Sequence, residues 1–170
     1  MNIFYLSKHP SIAAAYHCDK HVIKMMLESA QMLSTAHRVL EQQQSYIDLY
    51  DLYGVYKKSH ENHPSSIWVR QSEENYKWLF DLMCNLLSEY RDRYQKIHAC
   101  ERLTCVLKTV PRALVGIGTF TNPPQCMPDQ YKQKNTVLAY REYYNKEKKF
   151  AKWEKKDNTP LWFNENREIA

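Results

Sequence analysis

In residues 16–37, YHCDKHVIKMMLESAQMLSTAH, the groups able to do chemistry fall on one line of a helix. At 100° per residue His17, His21, Lys24, Glu28, Gln31 and Thr35 share a narrow stripe, stepping by four and three. Val22, Met26, Ala30, Leu33, His37 and Leu40 lie opposite, and Met25 and Met32 flank the stripe. A solvated face would account for the lysine, the glutamate and the glutamine one at a time. A narrow polar line on an otherwise apolar helix predicts instead the floor of a cleft, with Glu28 as its acid–base group and Lys24 one turn away.

The i, i+4 pair His17 and His21 can share a metal ion, and His60 and His63 form a second close pair. No HExxH and no cysteine cluster accompanies them, so a metal-dependent hydrolase is the weakest candidate and no metal or other cofactor is expected. The histidines are expected to hydrogen-bond phosphate or the carboxylate.

A second dense patch is NHPSSIWVRQSEENYKW, in which His63, Trp68, Arg70, Asn75 and Tyr76 can hold a phosphate and stack on a base. Trp68 taken alone reads better as a core anchor. A third is NKEKKFAKWEKK. Its Lys148, Lys149 and Lys152, interleaved with Phe150 and Trp153, are either a solvated helix face or a surface that follows a nucleic-acid backbone. There is no Gly-rich phosphate loop, GxSxG or Rossmann fingerprint, which sets nucleotide hydrolysis and hydride transfer well behind.

The elements that must position these groups are helical. Only three glycines in 170 residues, with long 3.6-residue patterns, predict an all-α chain forming a single domain over 1–170. MNIFYL reads as an extended segment tucked against the body. Pro10 and Ser11 open a helical stretch to about residue 43, bent near His17. Residues 46–53 make a short helix or a loop insert. From Ser72, a cap followed by Glu73 and Glu74, a clean apolar pattern runs to Ile97. Pro111, Pro123, Pro124 and Pro128, with two of the three glycines, make 111–131 an irregular loop, and a basic C-terminal helix is expected over 137–157.

Net charge of +5 fits a polyanionic partner without requiring one. The five cysteines are odd in number, widely spaced and form no CxxC, so they read as reduced core thiols. No window approaches the ~18 apolar residues of a membrane span, and MNIFYLSKHP lacks the form of a signal peptide. An intracellular protein is expected, in cytoplasm or nucleoid, or in host cytoplasm if viral, with no obligate protein partner.

DKHVIKMMLE (19–28) together with NHPSSIW (62–68) resembles the pyrimidine-dimer DNA glycosylase family, the endonuclease V type of phages and its bacterial relatives. Asp19, His21 and Glu28 carry the shared spacing. Lys24, Gln31, Leu33, His63, Pro64, Trp68, Glu89 and Arg93 fit the same pattern, over a core of residues 10–97. The resemblance implies a compact helical domain with the N-terminus lying across the main helix. It also implies double-stranded DNA as partner, and a glycosylase, with AP-lyase activity, acting at damaged or modified pyrimidines. In that chemistry an α-amine attacks the deoxyribose C1′, and a glutamate, by position Glu28, moves protons. An α-amine suits the task because its ordinary pKa of ~8 leaves a useful neutral fraction at pH 7. His17, His21, Gln31, His63, Trp68, Arg70, Asn75, Lys148, Lys149 and Lys152 would then face the DNA.

Two departures stand out. Asn2 is a large second residue, which leaves methionine in place, so the candidate amine is that of Met1, with Lys24 the alternative nucleophile. The segment 41–58 has no counterpart in the phage pattern. The runner-up is a non-catalytic nucleic-acid or nucleotide-binding protein on the same fold.

Overall fold

Two 22-residue helices, α2 (Asp19–Leu40) and α5 (Glu73–Tyr94), carry the architecture in the computed structural model, which describes residues 1–163. Val22, Met26, Ala30 and Leu33 of α2 pack against α5, whose Leu79, Met83 and Leu86 are equally inaccessible. Burial of each such leucine stabilises the pair by about 1.5–3 kcal/mol. Ser72 caps α5 by accepting the Asn75 amide at 3.0 Å, Glu73 and Glu74 occupy its first turn, and Gln95 ends it in the left-handed region.

The stretch expected as one bent helix from Pro10 is two. α1 (Pro10–Tyr16) stops, His17 and Cys18 are extended, and α2 restarts at Asp19. The cause is Arg93 of α5. Its side chain is fully buried and takes the carbonyls of Ala15 (3.0 Å) and His17 (2.8 Å), the first of which a continuous helix would use internally. Asp19 (3.0 Å) and Glu89 (2.9 Å) balance its charge. A buried guanidinium is tolerated only with such partners.

Shorter elements complete the body: α3 (Gln44–Leu52), α4 (Pro64–Val69), α6 (Thr104–Leu107) and α7 (Thr136–Glu147). The insert at 41–58 therefore contains a helix. Asn135 caps α7, its side chain accepting the Val137 and Leu138 amides. No strand occurs among the described residues, and none of their helices is long and apolar enough to cross a membrane. The chain is all-α.

Residues 111–131 are irregular apart from single turns of 3-10 helix at Arg112–Leu114 and Asp129–Tyr131. The loop is fastened to the start of α5, where Ile117 accepts the Glu73 amide at 2.9 Å. Gly118 makes that approach possible: at φ +68° it lies so close that a Cβ would sit 2.8 Å from Cβ of Ser72.

The basic helix expected over 137–157 ends at Glu147. Lys148–Lys156 instead drape over the start of α2, with Lys152 accepting the Asp19 amide at 2.9 Å and Asp19 accepting the Lys155 amide at 3.1 Å. The irregular path also buries Trp153 against Phe163, ring centroids 4.7 Å apart. A continued helix would have stacked like-charged lysines at i, i+4 and left the Asp19 amide without its acceptor.

The first nine residues form no regular element, and Ile3, Phe4, Tyr5 and Leu6 among them are buried. Phe4 stacks on His21 of α2 and meets Tyr144 of α7 edge-on. Leu6 accepts from Arg141, and Lys8 from the Trp78 indole. This path delivers the start of the chain to the middle of α2.

Candidate active site

Glu28 stands where the N-terminal segment crosses α2. Its Oε2 accepts the backbone amide of Asn2 at 2.9 Å and lies 3.9 Å from the α-amine of Met1. Lys24 Nζ, one turn back, is 3.7 Å from Oε1. The Lys24 side chain is 63% exposed and that of Glu28 14%, so the lysine stands on the rim and the carboxylate below it. The Met1 side chain is only 2% exposed, its Sδ 3.4 Å from the Ser66 hydroxyl of α4.

Asn2 explains how the amine is held. Its Oδ1 accepts from the Tyr140 hydroxyl (2.9 Å) and its Nδ2 donates to the Cys126 carbonyl (3.0 Å), tying the segment to α7 and to the 111–131 loop. The large second residue is thus an anchor with both ends bonded. Helical spacing could not have found it, because its partners are over 120 positions away in sequence.

α4 brings in His63, the cap of that helix. Its Nδ1 accepts the Ser65 amide at 3.2 Å, so in the neutral ring the proton sits on Nε2. Burial, then the Met1 amine and His60, hold its pKa below the ordinary histidine value, against the opposing pull of Glu28. Met1, Glu28, Lys24 and His63 therefore form one electrostatic group. Gln31, half-buried, continues the same stripe of α2.

The rest of the stripe is covered. His17 is inaccessible, its Nδ1 2.6 Å from the Ala13 carbonyl, and burial pulls its pKa down to about 4. His21 lies under Phe4, ring centroids 4.6 Å apart, and burial pulls its pKa down to about 3. Both are neutral core rings at pH 7 and reach no phosphate in this conformation, because the N-terminal segment and Phe150 lie over them. Thr35 is closed off by Ser59, with which it exchanges hydrogen bonds. Of the stripe only Lys24, Glu28 and Gln31 keep some exposure.

The second patch is also divided. Trp68 and Asn75 are buried, and both bond Thr121: the indole donates to its carbonyl (3.1 Å), and the Asn75 side chain accepts its amide (2.9 Å). They pin the 111–131 loop and cannot stack on or bond a nucleotide there. Arg70 is half-buried and donates to the Glu61 carbonyl at 2.9 Å. Among the lysines, Lys148 packs its ammonium 4.4 Å from the Tyr143 ring centroid and 5.7 Å from that of Phe4. Lys149 and Lys152 are exposed, Lys152 pairing with Glu154 at 3.0 Å.

Among the described residues no group of three His, Cys, Asp or Glu side chains comes together to hold a metal, so the pair His17 and His21 gains no third ligand. A second polar cluster went unread in the sequence. His37, which a helical wheel assigns to the apolar face of α2, meets Glu41, Tyr50 and Tyr76. The spacing of His37 and Glu41 at i, i+4 was its one available signal. No family model, curated protein or solved structure matches this chain.

Proposed function

We propose that the chain is a DNA glycosylase with lyase activity, the α-amine of Met1 acting as nucleophile and Glu28 as proton carrier at a damaged or modified pyrimidine nucleotide. The observation that supports this reading is the α-amine held 3.9 Å from a largely buried carboxylate by a segment built to hold it. Carbon–nitrogen exchange at a sugar needs these two groups side by side.

The steps balance with those groups alone. The neutral amine attacks C1′, the C1′–N bond to the base breaks, and the departing base takes the electron pair and a proton. The C1′–O4′ bond then opens, O4′ taking from Glu28 the proton that Glu28 had received from the Met1 ammonium, and the nitrogen lone pair forms a protonated imine between Met1 and C1′. Removal of a C2′ proton by the Glu28 carboxylate expels the 3′-phosphate and nicks the strand. Lys24 on the rim, with exposed Lys149 and Lys152, supplies positive charge for the flanking phosphates. The target nucleotide would leave the duplex stack to reach the amine.

The near-complete burial of the Met1 side chain favours one rival, a nucleic-acid binder in which the amine–carboxylate pair only clamps the N-terminus. Duplexes carrying pyrimidine dimers, oxidised pyrimidines, uracil or an abasic site separate the two. The glycosylase reading expects base release and strand nicking from at least one, unaffected by a chelator and lost in Glu28→Gln. Binding of every duplex with no product from any of them would favour the clamp.

A further inference from the structure

On the opposite side of α2 from Glu28, roughly 13 Å further along its axis, lies a cavity of about 400 Å³ between α3, α6 and the turn at Arg112–Leu114. At its floor Glu41, 8% exposed, accepts the Arg112 backbone amide at 3.0 Å and the Tyr50 hydroxyl, with His37 Nδ1 3.2 Å away. Behind it the Tyr76 hydroxyl donates to the Leu107 carbonyl (2.7 Å), so it must accept its 2.8 Å bond from His37 Nε2–H. That bond holds the neutral His37 ring in place with its proton on Nε2 and a lone pair on Nδ1.

Two groups in this cavity lack a counterpart. A carboxylate offers about four lone-pair directions; the Arg112 amide takes one on Oε1 and the Tyr50 hydroxyl one on Oε2, leaving the second direction on Oε1 of Glu41 for a further donor. The Arg112 guanidinium, at the exposed edge, has no carboxylate partner among the described residues and rests 5.5 Å from the Tyr46 ring centroid. Between floor and edge the walls are apolar and flat. The lining there includes Tyr46 and Tyr50, whose rings stack nearly parallel (23°), together with Val106 and Val110.

We infer that this cavity is a binding site for a small planar heteroaromatic anion of the nucleoside monophosphate class, with a ring N–H or exocyclic amine on Glu41, the ring between Tyr46 and Val106, and the phosphate on Arg112. Glu41 keeps its charge between two uncharged donors, the Arg112 amide and the Tyr50 hydroxyl, and its open lone pair on the Oε1 side accepts a ring N–H or an exocyclic amine. The unpartnered guanidinium calls for an anion, and its planar fork matches a phosphate. A volume of about 400 Å³ lies within the range of pockets that enclose molecules of this size. The site shares no side chain with the Met1–Glu28 group and stands or falls apart from the glycosylase reading.

Calorimetry and thermal shift with AMP, GMP, CMP and UMP, each alone, test it, with adenosine and inorganic phosphate as controls. At least one monophosphate should bind 1:1. Arg112→Ala, which alters an exposed side chain, should weaken it about tenfold or more, and Tyr46→Ala should weaken it as well, with unchanged circular dichroism in both. The nucleoside lacking phosphate should bind more weakly and be indifferent to Arg112→Ala. Failure of all four monophosphates at millimolar concentration overturns the inference. So does affinity unchanged in both variants, or inorganic phosphate binding as tightly as the nucleotides.

Discussion

Glu28→Gln removes one negative charge while keeping an oxygen for the Asn2 amide, so its structural and chemical consequences can be separated. A hydrogen bond to a charged acceptor contributes about 1.5–3 kcal/mol and a neutral one about 0.5–1.5. The 2.9 Å bond from Asn2 should therefore lose about 1 kcal/mol. The pair with Lys24, whose side chain is 63% exposed, adds only about 0.3–0.5. For a chain of this length each kcal/mol lowers the unfolding midpoint by about 2–4 °C, so the variant should stay folded at 25 °C. Turnover should fall at least about 100-fold, some 2.7 kcal/mol of barrier, because the proton carrier is gone. Circular dichroism melting beside single-turnover nicking of an active duplex measures both. A variant that is folded and cleaves at the original rate would refute the role given to Glu28, and one that fails to fold would refute the weights given to these contacts.

Gln substitution of Lys149 and Lys152 should flatten the dependence of DNA affinity on salt by about two units of log–log slope, read by anisotropy titration. Adding the Lys148 change should instead lower the melting midpoint, since that ammonium packs on Tyr143 and Phe4. Stability should fall on acidification. His17 and His21 titrate near 4 and 3 when folded against 6.5 when unfolded, so their contribution is complete above about pH 6.5 and is lost as pH drops towards those values. His21→Phe, which keeps a ring under Phe4, should make denaturant-derived stability less steep between pH 6.5 and 4 than in the parent chain. Arg93→Met leaves Asp19 and Glu89 without their buried partner and should cost about 3–5 kcal/mol, seen as a lower urea midpoint.

The helices were legible because they obey short-range rules. The Ser72 cap, the acidic first turn of α5 and the apolar positions of α2 and α5 follow from neighbours within four residues. What was not legible was decided by distant partners. Arg93 breaks the helix at His17 from 76 positions away, and Asp19 draws Lys152 and Lys155 out of helical register. The same limit applied to the site. Periodicity put six residues on one stripe, but whether a stripe faces solvent depends on what lies over it, and Phe4 covers His21 while leaving Glu28 beside Met1. Asn75 looked like a nucleotide contact, and so did Trp68 as part of that patch though taken alone it read as a core anchor, because indole and amide serve recognition and packing equally well. Thr121, 46 positions beyond Asn75, gives them the second role.

The position of the α-amine carries the account, and reductive trapping tests it most directly. The protein is incubated with a duplex bearing an abasic site in the presence of borohydride, and the covalent adduct is digested and mapped by mass spectrometry. The account predicts a single adduct on the α-nitrogen of Met1, abolished by amine acetylation or by one added residue before Met1, with duplex binding retained. An adduct on Lys24 that survives those changes, or no adduct at all on a duplex the protein binds, would contradict it.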